Sequence, residues 1–421
     1  MLSVDMRWRR VLGLIGVVVV VGLVAGGVTS CGTPPPAPPE VIRETVIVEE
    51  TVIVPGTPEP SGEPIKIGMV FSFTGPGAYS GETNSRGATM AAEEINAEGG
   101  ILGHPVALVA CDNEGTLEKS IACVRRLIEL DDVDLIIGMS SSGQVLASKD
   151  ILQEYEVPFV TLMCSSAKIT EDAGRAGGNT WVFRFPPHDG MMAEAFAGFV
   201  GEQVDSVCMM ATNDDFGRGG VEVTIPFLQA AGVEVLVDDY HEVGESDFRP
   251  VITRWKGLNC EGMYLIPWSK DAATFINQAR ELGFEAQVFS RDAMSTPEFM
   301  EGLSDASFAE GIMEVGQVLT NAEPEFQQQF LTRWGKLPHD YAASAYVGVR
   351  YVAAEAFRTA IEETGEATRS SIRDALETLS VETLYFGLIE FDEYNQAHPD
   401  IPVKLCENGE WRVLEYIAVA D

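Results

Sequence analysis

Two short stretches combine hydroxyl side chains with a passage from strand to helix: LIIGMSSSGQVLASK at 135–149 and LMCSSAKIT at 162–170. In the first, an apolar run ends at Gly138, Ser140, Ser141 and Ser142 occupy the turn, and a helical pattern starts near Gln144. A serine so placed has two chemistries open to it. As a nucleophile it needs an activating base and a sharp turn, which the elbow motif G-x-S-x-G supplies. Here Gly138-Met139-Ser140-Ser141-Ser142 puts serine where the second glycine belongs. As an anion binder, its hydroxyl adds a donor to the free N–H groups and positive dipole end of a helix N-terminus. Plain N-capping is the third reading. Two serine-bearing turns at successive strand ends favour an anion cradle over capping alone. A secreted serine hydrolase remains the alternative from a different class, to be favoured by a histidine beside Ser140 or Ser142; the five histidines, at 104, 188, 241, 339 and 398, fall in neither turn.

Other chemistry is poorly supported. G-x-G-x-x-G, G-x-x-x-x-G-K-[ST] and H-E-x-x-H do not occur, and GPGAYSG (75–81) approaches the first and departs from it. No C-x-x-C pair exists and the histidines are scattered, so no metal site, cofactor or catalytic residue is expected. Export permits disulfides among Cys111, Cys123, Cys164, Cys208, Cys260 and Cys406, with the pairing open. Cys208 and Cys260 lie in apolar strand-like runs and read as core residues.

The elements that carry these turns alternate. From Pro64 onward, strands are expected at 65–73, 105–112, 133–139 and 157–163, with helices at 87–100, 116–130 and 144–155. Leu117, Ile121, Val124 and Ile128 would make the buried stripe of the second helix. After FRFPPHD (183–189) the pattern restarts, with strands at 206–214, 233–240, 262–267 and 286–290 and helices near 190–203, 217–231, 247–257 and 271–282. Helical stretches follow at 324–334 and 341–363, then strand-like YFGLIEFD (385–392), VKLCEN and EWRVLEY. Continuous apolar strands separated by helices mean parallel sheets covered on both faces. Two such series imply an α/β chain of two doubly wound parallel-sheet lobes, with ligand beyond the carboxyl ends of the strands, where both serine turns lie.

The chain has 421 residues, 46% of them hydrophobic, and its 64 acidic against 28 basic residues give a net charge of −36. Such a surface repels nucleic acid, since phosphate neutralisation needs Lys and Arg. At the N-terminus, Arg7, Arg9 and Arg10 precede an uncharged run at 11–28 and then VTSCG. Small residues after the apolar run argue for cleavage. VTSC resembles the bacterial lipoprotein signal, which makes residues 1–30 a signal peptide and Cys31 the lipidated first residue. An uncleaved anchor is the alternative, and both place the chain outside the cytoplasm on a membrane. Residues 31–63 read as a tether: eight prolines fall between 34 and 60, around the imperfect repeat ETVIVE and ETVIVP at 44–55. Stiffened by proline, it could reach ~100 Å.

Residues 65–417 resemble the periplasmic binding proteins of branched-chain amino-acid ABC transporters. The resemblance is carried by IKIGMVFSFTGPGAYSGETNSRGATMAAEEINAEGGILGHPVALVACDNEG, LIIGMSSSGQVLAS, VPFVTLMCSSAKIT, FRFPP and NDDFGRGG. INAEGGILGHPV and DDFGRGG are the most specific of these. It implies the type 1 fold, two lobes (64–185 plus 317–386, and 186–316 plus 387–421) joined by three crossovers, closing by a hinge over a ligand in the cleft. It puts the family's carboxylate-binding serine on Ser142 and its Ala-Ala-Thr turn on Met163, Cys164 and Ser165. Its cleft aromatics fall on Phe216 and Trp268, and its ammonium-binding acid on Asp292, one methylene shorter than the usual Glu and next to Arg291. Tyr79 or Ser80 would add a first-lobe contact and Tyr341 a further wall; Arg184 in FRFPP would be structural, at a lobe crossover. The implied protein is a non-enzymatic, extracytoplasmic, lipid-anchored receptor delivering a small solute, an amino acid by preference, to an ABC permease. Within binding, an amine-free carboxylate, an amide or an aromatic acid is the alternative, as is a sensory role.

Overall fold

In the computed structural model, residues 60–75 and 77–418 are described; the expected signal peptide, Cys31 and most of the tether lie outside the described residues. Apolar residues in IKIGMVF alternate between two covered faces: Ile65, Ile67, Met69 and Phe71 enter one core and Val70 the other. This strand, β1 (Ile65–Phe71), is flanked by β2 (Val106–Asp112) and β3 (Leu135–Gly138); β4 (Phe159–Thr161) and β5 (Val182–Arg184) follow in an all-parallel sheet of order β2-β1-β3-β4-β5. Parallel strands need helical crossovers, which cover both faces and make the strands apolar throughout.

The chain then leaves this sheet and builds a second from β6 (Ser206–Thr212), β7 (Glu234–His241), β8 (Gly262–Ile266), β9 (Gln287–Arg291) and β10 (Met313–Val315). It crosses back at Gly316 and Gln317. There it adds helices, among them Asp340–Val347, and the hairpin β11 (Ser380–Thr383) and β12 (Gly387–Glu390) to the first lobe. A third crossing carries it to β13 (Ile401–Glu407) and β14 (Glu410–Ile417), which extend the second sheet antiparallel beyond β10. Each sheet is sandwiched between two buried clusters. The third crossing comes later than expected: Ile389 and Ala397 are buried in the first-lobe core, because the 387–390 strand pairs with β11 rather than with the second sheet.

Arg184 holds the crossings together. Its backbone N–H donates to Asn395 O at 2.9 Å and its carbonyl accepts from Ala397 N at 2.9 Å, so the first and third crossings run side by side. Its guanidinium is wholly buried and donates to Gln396 Oε1 at 2.5 Å, Ser166 O at 2.7 Å and Cys164 O at 3.3 Å. Burial lowers it to about 10, which leaves it charged at neutral pH.

Three expectations are corrected. Cys208 and Cys260 lie in the second-lobe core as expected, but are joined there as a disulfide, with Cα atoms 5.7 Å apart. Cys111 and Cys123 form a second disulfide, and Cys164 and Cys406 are free and buried. That second crosslink fixes the face of the helix Leu117–Glu129: Ser120, Cys123, Val124, Leu127 and Ile128 are buried, while Leu117 is 46% exposed. The first helix starts at Ala78, well before the expected 87, across glycine, serine and asparagine that form helices poorly. Close packing overrides propensity there. A Cβ on Gly81 would lie 2.1 Å from Ser72 O, and one on Gly87 2.0 Å from Ala342 O, in the helix packed across it.

Gly87→Ala gains helix propensity of up to ~1 kcal/mol but forces two backbones apart, an overpacking cost of typically 1–3 kcal/mol. Net destabilisation is expected, read as a lower denaturant midpoint in chemical unfolding; a higher midpoint would show that propensity governs this contact.

Candidate functional site

The carboxyl ends of β1, β3 and β4 open onto one side of the first lobe. Gly138, at φ 149°, ends β3; a Cβ there would lie 2.5 Å from Val70 O, so only glycine lets the chain turn into the serines. Ser140 is committed to this turn: its Oγ accepts from Ser72 N at 3.0 Å and its N–H donates to Gln144 Oε1 at 3.1 Å. Ser141 is extended and precedes the helix Ser142–Glu154, and its side chain makes no capping bond. Ser142 is buried in the first turn, and its Oγ accepts from Ser166 N at 3.3 Å. The two serine turns are therefore bonded to each other. His339 lines the same cavity as Ser140 and Ser142, and among the described residues no hydrogen bond joins a histidine to either serine.

A cavity of about 240 Å³ lies against these turns, between the two lobes. From the first lobe it is lined by Tyr79, Ser80, Ser142, Met163, Cys164 and Tyr341, and from the second by Phe216, Trp268 and Asp292. Nine of the ten nominated binding residues thus meet at one place. Ser165 does not line it. Its backbone carbonyl accepts from Asp189 N at 2.8 Å, which ties the turn to the first crossing, and its buried hydroxyl has no hydrogen-bond partner among the described residues. Cys164 Sγ donates to Met139 O at 3.3 Å, and burial pushes its thiol up to about 11, which keeps it protonated at neutral pH.

Asp292 closes the second-lobe side. It follows β9 with φ 54°, a left-handed conformation unusual without glycine. Its buried carboxylate accepts from Gln317 N at 2.8 Å and from Gln317 Nε2 at 3.2 Å. Gln317 Nε2 also donates to Met163 O at 2.8 Å, so this side chain at the second crossing touches both halves of the cavity. Burial pushes Asp292 up to about 7; Lys404 and Arg291 pull it down, and Asp340 and Glu314 push it further up. Arg291, the neighbour that might have neutralised Asp292, is engaged elsewhere. It pairs with Asp189, both side chains wholly buried, and its Cζ stacks 4.6 Å from the Phe216 ring centre. Phe216 is thereby fixed as a wall by the cation beneath it.

Lys270, Asp271, Glu298 and His339 also line the cavity and were not singled out in the sequence. Each lies within six residues of a nominated residue, beside Trp268, Asp292 or Tyr341, which is the only signal that could have found them. The His339 ring packs 4.1 Å from Tyr341 and 5.7 Å from Tyr79. Asp271 is partly committed to structure, accepting from Gly244 N at 3.0 Å. A polar cradle on one side, a buried carboxylate on the other and aromatic walls between can hold a small molecule with an anionic and a cationic end.

A family model described as periplasmic binding protein matches residues 64–406. The Leu/Ile/Val-binding protein of Rhizobium johnstonii is 26% identical over 313 residues, 74% of this chain and 79% of that one. A Streptococcus pneumoniae branched-chain amino acid substrate-binding protein, solved with isoleucine, superposes with a TM-score of 0.75 at 22% identity, covering 85% of this chain and 100% of that one. A Rhodopseudomonas palustris solute-binding protein holding 3,4-dihydroxybenzoic acid gives 0.75 at 18% identity, covering 86% and 98%. The two structural likenesses speak to the fold.

Asp292 has a consequence for the empty protein. Its carboxyl sits at about 7 when folded against an ordinary 3.8, so the native state holds the extra proton between those values. Stability should therefore fall as pH rises from about 4 to about 7 and level off above. Asp292→Asn should gain on wild type through that window, by a few kcal/mol at its upper end, with no advantage below about pH 4. Thermal unfolding of both without ligand across this range checks it; parallel profiles would show that Asp292 is not strained by burial.

Proposed function

Since the chain belongs to the periplasmic binding protein family, solute receptors that work with ABC transporters, we propose that it captures a small zwitterion, an amino acid, outside the cytoplasm and delivers it to a permease without transforming it. The observation that carries this reading is Asp292: a buried carboxylate across one cavity from the first turn of the helix Ser142–Glu154. The ligand carboxylate would take the Ser142 hydroxyl and the free amides of that turn, each bond worth about 1.5–3 kcal/mol when charge-assisted. Its ammonium would meet Asp292, and Phe216, Trp268 and Tyr341 would cover its side chain. Because the two charged ends are held by different lobes, the ligand itself would bridge the cleft and favour closure. Met163 and Cys164 replace smaller residues of the family and narrow the first-lobe side.

A second reading has its own support. With its carboxyl near 7, Asp292 can be protonated and donate a hydrogen bond, which suits an amine-free aromatic acid against the same rings. The dihydroxybenzoate-bound neighbour shares the fold. Calorimetric titration with leucine-like amino acids and their deaminated analogues separates the two. For an amino acid, Asp292→Asn should cost about 2–5 kcal/mol, as removing half of a buried charge pair does. For an amine-free acid the same change should leave affinity equal or improve it. Equal wild-type affinity for both members of each pair would defeat the amino-acid reading.

The lipid anchor at Cys31, the tether at 31–63 and the outer membrane-surface location belong to the same proposal and rest on VTSC and the proline-rich run. Cys31→Ser should release the protein from the membrane fraction. Detergent-dependent extraction of both forms alike, with residues 1–30 still attached by mass spectrometry, would sink the lipoprotein reading.

A further inference from the structure

Beneath Asp292 lies a wholly buried ion pair. Lys404 of β13 stands directly opposite Glu314 of β10 in the antiparallel register, and its Nζ donates to Glu314 Oε1 at 3.2 Å and to Ser295 Oγ at 2.8 Å. Both side chains are fully buried. The Glu314 carboxylate also accepts from the backbone N–H groups of Ala293, at 3.0 Å, and Ser295, at 3.1 Å, and from that of Met294 between them. Glu314 thus clamps the turn that immediately follows Asp292. Lys404 and Asp292 both approach Gly316. A Cβ on Gly316 would fall 2.5 Å from Asp292 Oδ1 and 2.5 Å from Lys404 Nζ, so the bare backbone lets the two charged ends come within about 5 Å without forming an ion pair.

We propose that Lys404 is a positioning residue for ligand recognition, setting through the gap at Gly316 the charge that Asp292 presents to a ligand ammonium. This rests on the reading of Asp292 as the ammonium's partner. The physical case is one of surplus charge. Glu314 and Lys404 neutralise each other, as do Arg291 and Asp189. Asp340, at the start of the helix packed across the cavity, has His339 beside it. Tyr341 and Gln317 face Asp292 as neutral groups. Among Asp189, Asp292, Glu314 and Asp340, Asp292 is the one without an ion-pair partner, and Lys404 heads the charges that favour its ionised form, ahead of Arg291, against Asp340 and Glu314. Without Lys404, burial would keep Asp292 protonated at neutral pH, and a protonated carboxyl offers an ammonium no countercharge.

The test is calorimetric titration, from about pH 5.5 to about pH 8.5, of an amino acid that wild type binds, using wild type, Lys404→Met, Asp292→Asn and the double variant Glu314→Gln/Lys404→Met. The double variant removes both buried charges together and avoids stranding Glu314 if the single change fails to fold. Wild-type affinity should fall as pH drops through about 7. In the Lys404 variants the fall should move upward by about one pH unit or more, a loss of ~10-fold near neutrality that recovers as pH rises. Asp292→Asn should be weak and flat. An unshifted midpoint in a folded Lys404 variant overturns the proposal, as does a loss equal at every pH, which marks plain structural damage. Amino-acid binding that Asp292→Asn does not weaken overturns the underlying reading of Asp292 as well, so the two failures are told apart.

Discussion

A guanidinium with no exposed surface anchors the architecture. Arg184 closes β5, and its guanidinium bonds to Gln396 in the third crossing and, in the second serine turn, to the carbonyls of Cys164 and Ser166 and the hydroxyl of Thr170. A buried charge is tolerable only when its hydrogen-bonding capacity is met. Arg184 therefore constrains its surroundings as much as they hold it, because moving the turn or the crossing would strand it. The constraint continues along a line of buried charge. Asp189, at the head of the next helix, interacts with Arg184 and pairs with Arg291, and Arg291 supports Phe216 beside Asp292. The segment connecting the lobes and the second-lobe wall of the cavity are thus parts of one electrostatic chain.

The cavity's two sides are built by different physics. On the first lobe, polar groups come from local backbone geometry. Gly138 permits the turn, Ser140 and Gln144 lock it, and Ser142 ties it to the neighbouring turn. The turn that forms this cradle is held by its own hydrogen bonds, through Ser140, Gln144 and Ser142 Oγ, whether or not a ligand is present. On the second lobe, Asp292 is held away from water by burial and fixed by a crossover side chain, an expensive arrangement for a group whose charge is unpaired. An unfavourable buried charge that persists beside a cavity is characteristic of a binding determinant more than of a folding device.

Most of the fold was legible because its signals are local. Apolar strands with intervening amphipathic helices specify parallel sheets, and glycine and serine clusters mark where strands end. What was missed depended on contacts distant in sequence. The helix Ala78–Ala97 begins in GAYSGETNSRG because Gly81 and Gly87 let other backbones approach, and that extension brings Tyr79 and Ser80 to the cavity. The strand at 387–390 has the pattern of a sheet strand, and only its pairing with β11 assigns it to the first lobe. Cys208 in β6 and Cys260 just before β8, 52 residues apart, are core residues as their apolar runs suggest, and only the pairing of those strands brings them close enough to crosslink. Within the site, the resemblance to known binding proteins supplied Ser142, Phe216, Trp268 and Asp292. It could not supply the burial of Ser165 away from the cavity, nor Gln317, whose importance comes from lying on a crossing. Lys404 was invisible as well, since nothing near VKLCEN suggests that it faces Glu314 and Asp292.

The position of Asp292 near neutrality changes how ligand capture should be understood. In the empty cleft, ionising this carboxyl is opposed by burial and only partly repaid by Lys404 and Arg291. A ligand ammonium placed against it would supply the missing charge and draw its proton off, so binding an amino acid would release a proton near pH 7 and tighten as pH rises. An amine-free acid would meet the opposite demand: its own negative charge would push Asp292 further up, so it would bind with proton uptake and tighten as pH falls. The same residue, unchanged in position, would thus give opposite proton linkage for the two ligand classes. The sign of that linkage follows from the charge the ligand brings to Asp292, whatever the detailed shape of its side chain.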